Sequence, residues 1–165
     1  MYKSLKEVFG KKKSHGEIFA PMNGTCVPMS QVKEPTFSHE ILGKGVAIIP
    51  CEGKVIAPED GEILMVFETR HAVSIRTNDG AELIIHIGLE TVNLHGEYFT
   101  AHVKAGDKVK KGDPLIEFDM DKIKEQGYDL ITPIVICNTP DYPNLVCHTG
   151  MEVKAGDLII ELGNR

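Results

Sequence analysis

Short runs of Ile and Val, each broken off by Gly or Pro within a few residues, dominate this chain from residue 17 onward. VAIIP, GEILMVF, AVSIR, AELIIHIG, PLIEF, IVIC and LIIEL are the clearest of them. β-branched residues in short runs between turn residues suit a pleated, half-buried surface. The 16 Gly and 9 Pro supply the punctuation. Two short motifs recur: APMNG (20–24) as APEDG (57–61), and VKAGD (103–107) as VKAGD (153–157). In both, a glycine turn precedes or separates apolar strands. The expectation is an all-β chain, an antiparallel sandwich or barrel-like fold built from a duplicated strand–turn unit, with little helix. Only residues 120–126, MDKIKEQ, read as a turn or two of helix, capped by Asp119.

Residues 1–16 stand apart as a basic flexible tail. Lys3, Lys6 and Lys11 to Lys13 surround Leu5, Val8 and Phe9, a pattern suited to weak contact with an anionic membrane surface. Residues 17–165 are expected to form one domain, long enough for a real core. No apolar run approaches the roughly 18 residues of a membrane span, and no signal-peptide pattern opens the chain. Cys26, Cys51, Cys137 and Cys147 lack CxxC spacing and read as reduced thiols of a cytoplasmic protein. The net charge of −6, with pI near 5.6, argues against nucleic acid and suits a basic protein partner. The basic tail after Met1 points to a free-standing protein; the oligomeric state is not legible, and monomer is the default expectation.

One hairpin carries unexpected polar chemistry. HAVSIR (71–76) and AELIIHIG (81–88) flank Thr77, Asn78, Asp79 and Gly80, a strong turn signal between alternating runs. A two-residue loop pairs Asn78 with Ala81, and a four-residue loop pairs Arg76 with Ala81. Both registers put His71 and His86 on one face, opposite or diagonal to each other. A three-residue loop with a bulge would separate them. Period two adds Phe67, Thr69, Val73, Ile75 and Ile84 to that face. Two imidazoles beside a hydroxyl make a poor core, because each neutral ring needs one donor and one acceptor partner. They make a good site, since an unprotonated imidazole nitrogen is nucleophilic near pH 7. No GxxxxGK[ST] or GxGxxG fingerprint accompanies them, so phosphoryl relay through phosphohistidine fits better than nucleotide chemistry. His15, His39, His95, His102 and His148 sit in loop-like contexts and read as surface residues.

FETRHAVSI (67–75), DGAELIIHIGLETVNLHGE (79–97), HVKAGDKVKKGDPLIEFD (102–119) and TPIVICN (132–138) occur in an order and spacing that resembles a known family. It is the glucose-type enzyme IIA of the bacterial phosphoenolpyruvate-dependent sugar phosphotransferase system. The resemblance runs from about Ile18 to Ile160. It implies a β-sandwich with a shallow apolar depression on one face. It also implies that His86 accepts a phosphoryl group through Nε2 from the histidine-containing phosphocarrier protein. The group then passes to a cysteine of an enzyme IIB domain of a sugar permease. By the same resemblance His71 hydrogen-bonds the phosphoryl oxygens and Thr69 supports the pair. Phe37, Ile41, Leu42, Phe67, Ile84 and Val92 ring the site for partner docking, and Glu90 sits on an acidic rim. Asn93 and Arg70 depart from residues common in the family. No cofactor is implied, although His71 and His86 could take up adventitious zinc. Other readings are a regulatory protein that reports sugar flux to further targets through its phosphorylation state, a zinc-binding hydrolase of similar architecture, and a biotinyl or lipoyl carrier. The hydrolase family's His-x-His and the carrier's turn-tip lysine are both missing. The transported sugar is not legible.

Overall fold

The computed structural model describes residues 16–163; the basic tail, apart from Gly16, lies outside them, as does His15. The described residues form short antiparallel strands and two short α-helices. The strands are β1 (Glu17–Phe19), β2 (Gly24–Pro28), β3 (Lys44–Pro50), β4 (Lys54–Ile56), β5 (Gly61–Val66), β6 (Ala72–Thr77) and β7 (Glu82–His86). They continue as β8 (Phe99–Ala101), β9 (Lys108–Val109), β10 (Pro114–Phe118), β11 (Thr132–Ile136), β12 (Val146–Cys147), β13 (Met151–Val153) and β14 (Leu158–Glu161). Helix α1 is Pro35–Ser38, which the sequence pattern did not signal. Helix α2 is Met120–Glu125, and the Asp119 side chain accepts from the Lys122 N–H at 3.1 Å as its cap.

The strand order reveals the duplication. The large sheet runs β13-β2-β3-β11-β7-β6-β5-β9, and two three-stranded sheets run β1-β14-β12 and β4-β10-β8. Taken in chain order, β1, β2, β3, β11, β12, β13 and β14 make the same pairings as β4 through β10. The second seven-strand unit is therefore inserted into the first. It enters and leaves at one point, where Glu117 pairs with Lys54 and the Phe118 N–H donates to the Gly53 carbonyl. The units meet in the middle of the large sheet. There Ile134 pairs with Ile85, each the counterpart of the other.

The two APxxG motifs sit at equivalent joints, whereas the two VKAGD motifs do not, since the counterpart of 154–157 is 110–113. Ala20 exchanges backbone hydrogen bonds with Gly156 and Asp157, and Ala57 does so with Gly112 and Asp113. Each partner is a Lys-x-Gly-Asp turn in which the Asp carboxylate accepts from the Lys backbone N–H, at 2.8 Å in both cases. A third turn, 104–107, is built the same way. Gly24 and Gly61 close the repeats, where the chain crosses into the large sheet opposite Pro50 and Thr77. A Cβ at either would collide with a backbone carbonyl oxygen, that of Ile49 or Arg76. Gly61→Ala should therefore destabilise the fold by about 2 kcal/mol or more, read as a lowered denaturant midpoint with an unchanged slope.

The main core lies between the large sheet and the two small ones. Ile18, Ile48, Ile63, Leu83, Ile85 and Ile134 are fully buried in it. Such side chains each contribute about 1.5–3 kcal/mol through burial. A smaller cluster covers the outer face of the sheet, where Val27, Met29, Val32, Phe37, Ala47, Ile131 and Val135 pack together. Segment 29–38, a 3-10 turn followed by α1, supplies its lid and brings Phe37 to the site.

Candidate active site

The β6–β7 hairpin adopts neither expected register. Ala72 pairs with His86, Ser74 with Ile84 and Arg76 with Glu82, across a three-residue loop. Thr77 joins the ladder by donating its N–H to Ala81, and the Gly80 N–H closes the loop on the Thr77 carbonyl. The four-residue loop leaves Thr77 out of the ladder and the two-residue loop brings Asn78 into it; the observed ladder ends with Thr77 on Ala81. The one-residue shift sends Val73 and Ile75 into the core, where both are fully buried. Ile84 remains on the face of His86, joined by Ser74 and, across β5, by Met65.

His71 nonetheless meets His86, with ring centroids 4.8 Å apart at 85°. It lies one residue before β6, at the end of a tight connection closed by the Phe67 N–H on the Ala72 carbonyl. Arg70 within that connection has φ +59°, a left-handed conformation that costs a non-glycine residue about 1–2 kcal/mol. The turn breaks strand alternation and brings the imidazole to the outer face. Across from His86, Ala72 presents only a methyl group.

Each ring is held at Nδ1. That of His86 lies 2.8 Å from the Gly88 carbonyl oxygen. A carbonyl only accepts, so in the neutral ring Nδ1 carries the proton and Nε2 keeps its lone pair. Gly88 reaches this geometry at φ +77°, and a Cβ there would crowd Thr91 and the Asp129 carbonyl. The Thr69 hydroxyl lies 2.6 Å from Nδ1 of His71. Phe37 leans on His86 at 5.1 Å and Phe67 meets His71 edge-on at 5.5 Å.

Burial pushes the His71 pKa down to about 4, and the neighbouring His86 adds to the fall. Burial also lowers that of His86, opposed by the Gly88 hydrogen bond and the Glu34 carboxylate. Both rings are thus neutral at pH 7. For His71 the unfolded chain binds the extra proton between the ordinary histidine value of 6.5 and about 4. Stability contributed by the neutral ring is therefore present above that window and falls as pH drops through it. NMR titration should place the His71 midpoint near about 4, well below an exposed histidine in the same spectra. A midpoint at the ordinary value would show that the ring is not buried.

Around the pair, Phe37 is buried and Phe67 and Ile84 are half-buried. Ile41 is 68% exposed, Leu42 41% and Val92 46%. Glu90 and Asn93 are exposed on the loop after β7. Met65, 46% exposed, belongs to the same face and was missed, because its sequence neighbours read as a buried strand. Arg70 turns from the histidines toward loop 90–99. Of the other histidines, His39 and His95 are exposed, while His102 and His148 pair with Glu117 and Glu161 at 3.5 and 2.6 Å. Among the described residues, no group of three or more His, Cys, Asp or Glu is placed to hold a metal ion.

The sequence family described as "phosphoenolpyruvate-dependent sugar phosphotransferase system, EIIA 1" matches residues 16–142. The chain belongs to that family. This enzyme IIA is 48% identical to a glucose-specific EIIA component of Halalkalibacterium halodurans, over 93% of the chain and 94% of that protein. It is 50% identical to the β-glucoside-specific EIIBCA component of Bacillus subtilis, over 76% of the chain but 20% of that longer protein. Among solved structures, glucose permease IIA from Mycoplasma capricolum superposes with a TM-score of 0.83. It shares 33% identity, and the match covers 88% of this chain and 94% of that one. The protein is a glucose-type enzyme IIA, a phosphoryl-carrying component of the sugar phosphotransferase system. No helix among the described residues is long and apolar enough to cross a membrane.

Proposed function

We propose that His86 is the phosphoryl-accepting residue of this enzyme IIA, acting in the cytoplasm between the histidine-containing phosphocarrier protein and a cysteine of enzyme IIB. The Nε2 lone pair of His86 attacks phosphorus. The P–N bond to the carrier's histidine breaks, and its electron pair returns to that imidazole. In the second transfer a cysteine thiolate attacks the same phosphorus, and the P–N electron pair returns to Nε2. Nδ1–H stays on the Gly88 carbonyl throughout, so neither step needs a proton from water.

The observation that carries this reading is the His86–Gly88 hydrogen bond, 2.8 Å long, with the His71 ring 4.8 Å from that of His86, centroid to centroid. Thr69 donates its hydroxyl proton to Nδ1 of His71, which leaves Nε2–H to donate to the phosphoryl oxygens. The aromatic and aliphatic ring supplies a water-poor docking surface that two partners use in turn. Fusion of the B, C and A parts in the Bacillus subtilis relative supports an enzyme IIB partner.

The test combines phosphoenolpyruvate, enzyme I, the phosphocarrier protein and this chain, with intact mass read before and after mild acid. One acid-labile phosphate on this chain is expected. No uptake would overturn the assignment.

A further inference from the structure

The turn that delivers His71 is held from outside itself. The Arg70 guanidinium donates from Nη2 to the Gly96 carbonyl at 3.0 Å and from Nε to the Phe99 carbonyl at 3.2 Å. Gly96 is shaped to receive it, since an added Cβ would stand 2.7 Å from Nη2. Loop 90–99, which carries Glu90 and Val92, is thereby tied to the turn that carries Thr69 and His71. The two segments hold four of the five non-glycine residues with positive φ among the described residues: Arg70, Glu90, His95 and Tyr98. Conformations of that kind persist where surrounding structure over-determines them. Here the visible tie is one side chain with a planar, two-pronged grip that an ammonium group lacks.

We infer that Arg70 is a positioning residue for phosphoryl transfer: its guanidinium clasps loop 90–99 and so holds the His71 imidazole in place against His86. The inference rests on the function proposed above. Arg70 does not touch the reacting nitrogen. It acts through the turn, and its charge is directed to backbone carbonyls rather than to a partner's surface. The exposed rim at Val92 and the buried ring of His71 become parts of one braced unit.

Arg70→Asn removes the clasp and keeps a side chain that tolerates the left-handed backbone. Arg70→Lys keeps the charge and loses the fork. Single-turnover transfer from the phosphorylated variants to enzyme IIB should show a limiting rate about tenfold lower in both variants, as expected for a misplaced group. Half-saturation should change by less than about twofold, since the docking side chains remain. Nitrogen NMR of the folded variants should show the His71 ring signals shifted and those of His86, held by Gly88, unchanged. Gly96→Ala, which displaces the guanidinium without altering Arg70, should reproduce the shift. A normal limiting rate in Arg70→Asn would overturn the inference. So would full activity in Arg70→Lys, which would make charge alone sufficient, or a loss confined to half-saturation. If the unaltered protein takes up no phosphate, the proposed function fails, while the NMR comparison still reports whether Arg70 holds His71.

Discussion

His86→Ala should abolish phosphoryl acceptance: with enzyme I and the phosphocarrier protein present, its mass should not change. The reason lies in what each ring has left to offer. In His86 the Gly88 carbonyl holds the Nδ1 proton at 2.8 Å, so Nε2 is a free nucleophile. In His71, Nδ1 faces the Thr69 hydroxyl at 2.6 Å; with Thr69 as the donor, as proposed, Nε2 is protonated and unable to attack. His71 therefore cannot substitute. The alanine variant should fold, because His86 lies on the outer face of β7 while Leu83 and Ile85 fill the core from the other side. Circular dichroism and thermal melting check that point. Retained acid-labile phosphate in folded His86→Ala would move the nucleophile elsewhere.

The second large effect is asymmetric. His71→Gln should still accept phosphoryl but pass it to enzyme IIB about 100-fold more slowly, a loss typical of removing one donor from a developing charge. The asymmetry follows from charge. In the first transfer a neutral imidazole attacks the phosphoryl group and another departs. In the second an anionic thiolate approaches a dianion, so the donor on the phosphoryl oxygens matters more. The low pKa of His71, about 4 in the bare site, makes the ring responsive. A dianion beside it raises that value and strengthens the Nε2–H hydrogen bond toward a charge-assisted one. A glutamine amide reaches the same region and cannot gain charge. The check is single-turnover chase of the phosphorylated variant with enzyme IIB. Equal losses in both transfers would mean that His71 places His86 rather than supporting the departing group.

Legibility varied with the length of each element. VAIIP, GEILMVF, AVSIR and LIIEL became β3, β5, β6 and β14 because five or more residues show their β-branched character. β9 and β12, two residues each, exist only because neighbouring strands pair with them, and two residues have no period to read. The APxxG repeat marks the duplication, the VKAGD repeat links two non-equivalent turns, and the insertion of one unit into the other needed pairing information. The two histidines do meet, although the register argument that joined them failed. The ladder is one residue out of either expected register, and a left-handed Arg70, which no pattern of apolar residues encodes, restores the meeting. Segment 29–38 was illegible for another reason. Its helix is four residues long and is held by packing on Ala47 and Val135 rather than by intrinsic preference.

The insertion geometry leaves both ends of the domain together. Glu17 pairs with Glu161, and the Gly16 N–H donates to Asp79 at the loop end of the β6–β7 hairpin. His86 closes the opposite end of β7, about 17–20 Å away at strand rise. A tether joined at either end would thus leave from the side away from His86. The domain can be carried as cargo on a longer polypeptide, or move alone, with the same doorway open to visitors.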